Sequence, residues 1–412
     1  MSQRQIMILM WCYNGNSFQI GVKCMIYLDN AATTEIDPYV LNTMLPYLQG
    51  EYGNAGSLHT LGRRAADAIS VARKQVAQSI GASPKQIIFT SGGTEANNLV
   101  FKGLIRYLQK KNKTHIITSE SEHDSILNTV KEMSIKDGFG VSFLGVNTNG
   151  EVVNSLNNII KPETGLASVM YFNNEVGAIN NIHDMCKTCH DNDVLFHTDC
   201  VQALGSIDID VNKIGCDFLS ISSHKIHGSK GVGALYIKQP ELIYPIITGG
   251  TSQEFGLRGG TENVAGIVGF GHACELATER LKLNQNYIPS LKCLFYNILL
   301  QTLCEYGLGD ILHINGENSL TNVNKVLNLR IDSVDAQTLV LYLDGCGVCV
   351  SAGSACRNHE SKPSRVLMSM GLDSEDAQNS IRFSFSHNLI SSQVYEAAQI
   401  TASCIKELYA TH

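Results

Sequence analysis

The chain has 412 residues, 44% of them apolar and 17% charged, with a formal net charge of −7. That balance describes a globular protein with a sizeable core and argues against direct nucleic-acid binding or adhesion to an anionic membrane. Thirteen cysteines, an odd number spread along a long chain, do not make a disulfide scaffold and point to a reducing cytoplasm.

The first apolar run, "IMILMWC", is far shorter than the ~20 residues a membrane span needs, and no small-residue cleavage site follows it. Neither a span nor a signal peptide is expected, and residues 1–24 read as an extension ahead of Met25, itself a candidate start. "RRAADAISVARKQVAQSI" puts Ala65, Ile69, Ala72, Val76 and Ile80 on one helical face, with Gly81 as the stop. Apolar runs follow, "QIIFT", "HIITS", "VSFLGV", "ASVMYF", "VLFHTD" and "FLSIS", separated by helical or loop material. That rhythm predicts a mainly parallel sheet covered on both faces. Near residue 270 it changes: "IVGFGHACELATERLKL" predicts a long helix, and the later strands are few, "VLNLRID" and "SIRFSFS". The expected fold class is α/β. A large domain over 36–282 is expected beside a smaller α+β domain over 283–412, completed by 25–35.

Ligands of open α/β sheets bind beyond the carboxyl ends of the strands, and the polar residues of this chain gather there. In "QIIFTSGGTEANN" a strand meets a helix through Ser91, Gly92, Gly93 and Thr94, which reads either as a phosphate cup or as a plain turn. Asp199 in "VLFHTDCVQ" follows an apolar run, where it would pair with a cationic ring nitrogen or cap a helix. Lys225 ends the apolar strand of "FLSISSHKIHGSKGVGALYI" beside Ser222, Ser223 and His224. A lysine forced against an apolar strand has reason to become a nucleophile, and the flanking glycines suggest close approach by a ligand; the alternative is a snorkelling side chain. His123 in "SESEHDSI" is either a satisfied loop histidine or an imidazole stacked on a flat cofactor for proton transfer. Cys356 in "VSAGSACRNHESK" lies between small polar residues, with Arg357 and His359 nearby to favour a thiolate; the alternative is an inert exposed cysteine.

"HDMCKTCH" invites a zinc or redox reading, but no second CxxC stands at finger spacing. The segment reads as a covering helix whose Cys186 and Cys189 share a buried face, and Cys346 and Cys349 read likewise as packing. No metal site is expected.

Taken in order and spacing, "YLDNAATT", "YGNAGSLH", "TSGGTEANN", "ESEHDSI", "FNNEVGAI", "HTDCVQALG", "ISSHKIHGSKGVGALY", "LRGGTEN", "SAGSAC" and "SIRFS" resemble a cysteine desulfurase. That family belongs to the pyridoxal-phosphate (PLP) fold-type I, class V aminotransferase superfamily. The spacing from Cys356 to "PSRVLMSMGL" and "SIRFS" is similar to the group with the longer, mobile cysteine loop. The resemblance implies a homodimer that converts L-cysteine to L-alanine and an enzyme-bound persulfide. By it Lys225 holds PLP as a Schiff base, Asp199 pairs with the ring nitrogen, and Gln202 bonds the ring hydroxyl. His123 stacks on the ring and moves protons, and Asn174 lies near the ring hydroxyl and substrate. Gly93, Thr94, Ser222 and His224 hold the phosphate, and Thr261 reaches the phosphate of the neighbouring subunit. Arg382 clamps the substrate carboxylate, and Cys356 takes the sulfur.

Ser223, Ser229 and Cys200 stand where many relatives have Gly, Pro and Ala, and none of these removes a catalytic group. The C-terminal "IKELYATH" lacks the tail by which housekeeping relatives dock their scaffold, so the sulfur-acceptor protein stays open among iron–sulfur assembly, tRNA thiolation and DNA phosphorothioation. Rival readings are a selenocysteine lyase or an aminotransferase of the same superfamily, and a non-catalytic scaffold. The last would be expected to lose Lys225 or Asp199, and both are present.

Overall fold

The structure is a computed structural model that describes residues 25–153, 156–316, 320, 325–353 and 363–410. Residues 1–24 and the stretch carrying Cys356, Arg357 and His359 lie outside the described residues.

Among the described residues twelve strands run in chain order as β1 Ile26–Tyr27, β2 Ile87–Thr90, β3 His115–Ser119, β4 Gly140–Leu144, β5 Thr164–Ser168, β6 Leu195–Asp199, β7 Phe218–Ser222, β8 Gly233–Ile237, β9 Leu312–Ile314, β10 Val326–Ile331, β11 Val348–Cys349 and β12 Ser380–Ser384. Seven of them form one sheet in the order β2-β8-β7-β6-β5-β3-β4. All its pairings are parallel except those of β8, which runs antiparallel to both β2 and β7. β2 and β7 therefore point the same way, and the carboxyl ends of β2, β3, β5, β6 and β7 share one edge. This mixed, mainly parallel sheet with helical crossovers matches the α/β expectation. β8 is the addition: "GALYI" is a fully buried strand that the sequence reading had absorbed into the stretch after Lys225.

The predicted helix over Ala65–Ile80 is Thr60–Ser79, here α1, and the five positions named for its apolar face are all buried. The phosphate-cup turn leads into α2, Gly93–Lys110, and His123 leads into α3, Asp124–Asp137. Cys186 and Cys189 lie on α4, Ile182–His190, and pack in the core beneath the sheet, where burial pushes both thiols up to about 12.

The predicted long helix is α5, Val264–Glu305. Its first half puts Ile267, Phe270, Ala273 and Cys274 into the core of the seven-stranded sheet. Its second half puts Ile288, Leu291, Phe295, Leu299 and Leu303 into a separate core around β10 and β12. Ile26 and Leu28 join that second core, because β1 pairs in parallel with β11. No helix among the described residues is long and apolar enough to cross a membrane.

His197 shows how polar groups are kept inside the sheet. It is wholly buried on β6, between the Ser168 hydroxyl at 2.8 Å and the Ser220 hydroxyl at 3.0 Å. Burial pushes it down to about 3, and burial is also the main cause that takes His224 and His227 to about 3. All three are neutral in the fold, whereas the unfolded chain gains their protons near pH ~6.5. The unfolded state thus binds more protons below that pH, and stability is lost as the pH falls toward the folded values. Urea midpoints recorded from pH 7 down to pH 4 are expected to fall steadily, and less steeply in a His197→Gln variant.

Candidate active site

A cavity of about 210 Å³ opens at the shared carboxyl edge of the sheet. It is lined by Gly93, Thr94, His123, Asn174, Asp199 and Gln202, and by Ser222, His224, Lys225 and Arg382. Ten of the residues singled out from the sequence are thus brought to one place.

The turn after β2 owes its shape to glycine. Gly92 holds φ at 151°, and a side chain on Gly233 of β8 would strike the Gly92 backbone at 2.8 Å. The turn can therefore lie flat against the sheet. Gly92 gives α2 no side-chain cap, so the first-turn N–H groups of that helix have no competing ligand from the cap. The Ser222 hydroxyl beside this turn is buried and has no partner among the described residues.

Lys225 follows β7 in a short helical turn. Its Nζ donates to the Ala31 carbonyl at 2.6 Å and the Ala32 carbonyl at 2.7 Å. His224 Nδ1 lies 3.1 Å from the Thr33 hydroxyl, and burial together with Lys225, Lys230 and Lys325 keeps its ring neutral. Lys325 was not foreseen. It is buried, its Nζ donates to the Lys225 carbonyl at 3.2 Å, and burial plus the charges of Lys225 and Arg382 push it down to about 7.

Asp199 ends β6. Its Oδ1 accepts from the Val201 N–H at 2.9 Å and its Oδ2 from Asn97 Nδ2 at 2.8 Å. Gln202 is anchored through Nε2 to the Ala31 carbonyl at 2.8 Å, while its Oε1 is buried without a partner among the described residues. His123 is the N-cap of α3. Asn97 and Ser125 also line the cavity and were missed. Both sit inside quoted motifs: Asn97 is one turn beyond Gly93 on α2, so helical spacing places it on the cavity side, whereas Ser125 is brought there by the N-cap turn in which His123 Nδ1 accepts from its N–H.

Arg382 on β12 is only 1% exposed. Its Nη2 meets Asp29 at 2.9 Å and its Nη1 the Asn174 carbonyl at 2.9 Å, while Nε has no partner among the described residues. Thr261 is not in this cavity. It lines another of about 110 Å³ with Ser91, Gly231, Arg258 and Asn263. The residues on either side of the Cys356 stretch are tied to the cavity rim. Ser351 pairs backbone to backbone with Arg382, and Ser364 Oγ donates to Glu175 at 2.5 Å. Arg365 donates to the Glu120 and Glu122 carbonyls and to Asp124, around His123.

The model of the class-V aminotransferase domain matches residues 26–396. The chain belongs to the class-V aminotransferase family. It is 41% identical to the cysteine desulfurase IscS of Dictyoglomus turgidum, over 88% of this chain and 90% of that one. A solved NifS-like protein superposes with a TM-score of 0.84 at 34% identity, covering 94% of this chain and all of that one. A structure described as SspA in complex with cysteine superposes at 0.74 with 32% identity, over 87% of this chain and 98% of that one. As a class-V aminotransferase of fold type I, the protein uses PLP as its cofactor.

The residues present suit that group. An aldehyde needs an amine, a phosphate needs N–H and hydroxyl donors, and a ring nitrogen needs a carboxylate. The cavity supplies Lys225, the uncapped start of α2 with the orphaned Ser222 hydroxyl, and Asp199.

Glu122, behind His123, is a buried acid that the cavity does not use directly. Its Oε1 accepts from the Met170 N–H at 2.6 Å and the Ser119 hydroxyl at 2.9 Å. Burial, with a further push from Asp199, raises its pKa from 4.5 to about 8. The neutral acid is the folded form, so its contribution is full below pH 4.5 and is lost as the pH rises through 8. Glu122→Gln keeps the shape and stays neutral. At pH 8 it is expected to unfold at higher denaturant than the parent, by about 1 kcal/mol or more, with the gap closing near pH 4.5.

Proposed function

We propose that this protein is a cysteine desulfurase: L-cysteine and the Cys356 thiol give L-alanine and a Cys356 persulfide. The observation that carries the reading is the convergence of Lys225, Asp199, His123 and Arg382 on one cavity, in a chain 41% identical to a cysteine desulfurase. The equation balances without an outside oxidant, because one sulfur atom moves between two thiols and a hydrogen takes its place on the substrate carbon.

PLP, when bound, supplies an aldehyde that condenses with amines and a ring that withdraws electrons from the substrate Cα. We assign Lys225 to hold it, Asp199 to face the ring nitrogen, and Gln202 and Asn174 to face the ring hydroxyl. His123 covers the ring and carries a proton. Gly93, Thr94, Ser222 and His224 hold the phosphate, and Thr261 serves the partner subunit's phosphate in a homodimer. Its place in a separate cavity supports that assignment. Arg382 holds the substrate carboxylate, already buried and aligned by Asp29 and the Asn174 carbonyl, so little ordering is left to do on binding. Asn174 also stands in position to contact the substrate. Cys356 receives the sulfur and passes it to an acceptor protein, for iron–sulfur cluster assembly or another thiolation pathway. We place the reaction in the cytoplasm, where the ten free cysteines among the described residues suit a reducing milieu. We also assign 36–282 as the large domain and 283–412 with 25–35 as the small one.

Borohydride reduction of the purified holoenzyme, followed by peptide mapping, is expected to fix the cofactor on Lys225. Lys225→Ala is expected to lose the absorbance at roughly 390–420 nm of a lysine-bound PLP. A label found on another lysine would overturn the assignment. Cys356→Ala is expected to keep the chromophore but lose alanine production from cysteine by about 100-fold or more. Full turnover by that variant would favour an aminotransferase or a lyase instead. With ³⁵S-labelled cysteine, parent protein is expected to carry the label on Cys356 in a form that dithiothreitol releases.

A further inference from the structure

Four side chains from three elements form one hydrogen-bonded line along the cavity wall. Asn97 Nδ2 lies 2.8 Å from Asp199 Oδ2 and 2.9 Å from the Ser125 hydroxyl. The Ser125 hydroxyl lies 2.8 Å from His123 Nδ1, and the Ser125 N–H donates to the same Nδ1 at 3.1 Å.

The direction of each bond follows from chemistry. An amide NH₂ has only protons to offer, so Asn97 donates to both neighbours. Rotating that amide would set its oxygen against the Asp199 carboxylate, which is unfavourable. Asn97 Oδ1 has no partner among the described residues, so nothing there pulls it the other way. The Ser125 oxygen accepts from Asn97 and keeps one proton, whose remaining neighbour is His123 Nδ1. Nδ1 thus faces two donors, the hydroxyl and the backbone N–H, and must present a lone pair to both. The ring proton then belongs on Nε2.

We propose that Ser125, oriented by Asn97, is a positioning residue that fixes His123 as the Nε2–H tautomer and ties it to Asp199. The inference rests on the reading of His123 as the proton carrier. It adds a requirement: the imidazole hands over and takes back its proton at Nε2, because Nδ1 is committed to the start of α3. Both ends of the line then work on the same ring, the carboxylate at its nitrogen and the imidazole over its face. Ser125 is 9% exposed and Asn97 1%, so bulk water does not compete for these bonds.

The test uses holoenzyme labelled with ¹⁵N-histidine and long-range ¹H–¹⁵N correlation spectra, with His123 assigned by loss of its signals in His123→Gln. The parent is expected to show a lone-pair-bearing Nδ1 and a protonated Nε2. In Ser125→Ala the His123 pattern is expected to shift toward mixed tautomers, and kcat for cysteine to fall about tenfold with KM within twofold. Ser125→Thr, which restores the hydroxyl, is expected to recover both. An Nδ1-protonated ring in the parent, or a Ser125→Ala variant with unchanged His123 signals, overturns the proposal. So does a changed tautomer with unchanged kcat. Alanine suits a helix start, and equal thermal midpoints for parent and variant keep unfolding out of the comparison. The spectra read the tautomer whether or not cysteine is turned over, so failure of the desulfurase reading would appear separately, in the parent's turnover.

Discussion

The contact on which the rest depends is small: the Lys225 amine donating to the carbonyls of Ala31 and Ala32. Lys225 belongs to the end of β7 in the large sheet. Ala31 and Ala32 belong to a segment that has just left β1, and Ala31 donates its N–H to Ser384 of the second core at 2.8 Å. The amine therefore sits on the seam between two cores. An amine drawn in from water must be met by acceptors, and the acceptors here come from the segment after β1, whose Ala31 packs in the large-sheet core while its N–H reaches across to Ser384. The placement of this half-buried amine and the closeness of the two halves are one constraint.

Charge around the seam is arranged to match. Lys225 and Arg382 line the cavity with the neutral His224, and Lys325 stands behind them with its pKa pushed down to about 7 by burial and by their charges. Asp29 answers Arg382, and Asp199 stands apart with its own donors. A surplus of cation suits ligands that bring a phosphate and a carboxylate. The isolated carboxylate suits the one part of such a ligand that carries positive charge. That division is what lets a single cavity hold groups of both signs without exchanging them.

Much of this was legible in the sequence because it sits at strand ends. An apolar run that stops at a polar residue marks both a strand and an edge, and Asp199, Ser222 and Lys225 were readable for that reason. β8 was not, because its pattern is continuous with the glycine-rich turn before it and its orientation depends on neighbours. Asn97 and Ser125 lay inside the motifs but carry no charge, and their importance comes only from meeting each other across two helices. Lys325 shows no periodicity that separates it from a surface lysine; its burial is a tertiary fact. For Arg382 the pattern gave only its strand and the resemblance gave its role, while its hold on Asp29 joins positions over 350 apart in the chain.

The helix α5 runs through both cores as one continuous helix, with Pro289 inside it. In a helix each residue advances the side chains by about 100° around the axis. Inserting or deleting one residue between Ala277 and Ile288 would keep each half intact yet turn the apolar stripe of one away from its core. The length of that stretch is thus a phase setting between the two bodies. Drift in chain length belongs in loops elsewhere, because a single slip here would point the Ile288–Leu303 stripe at water.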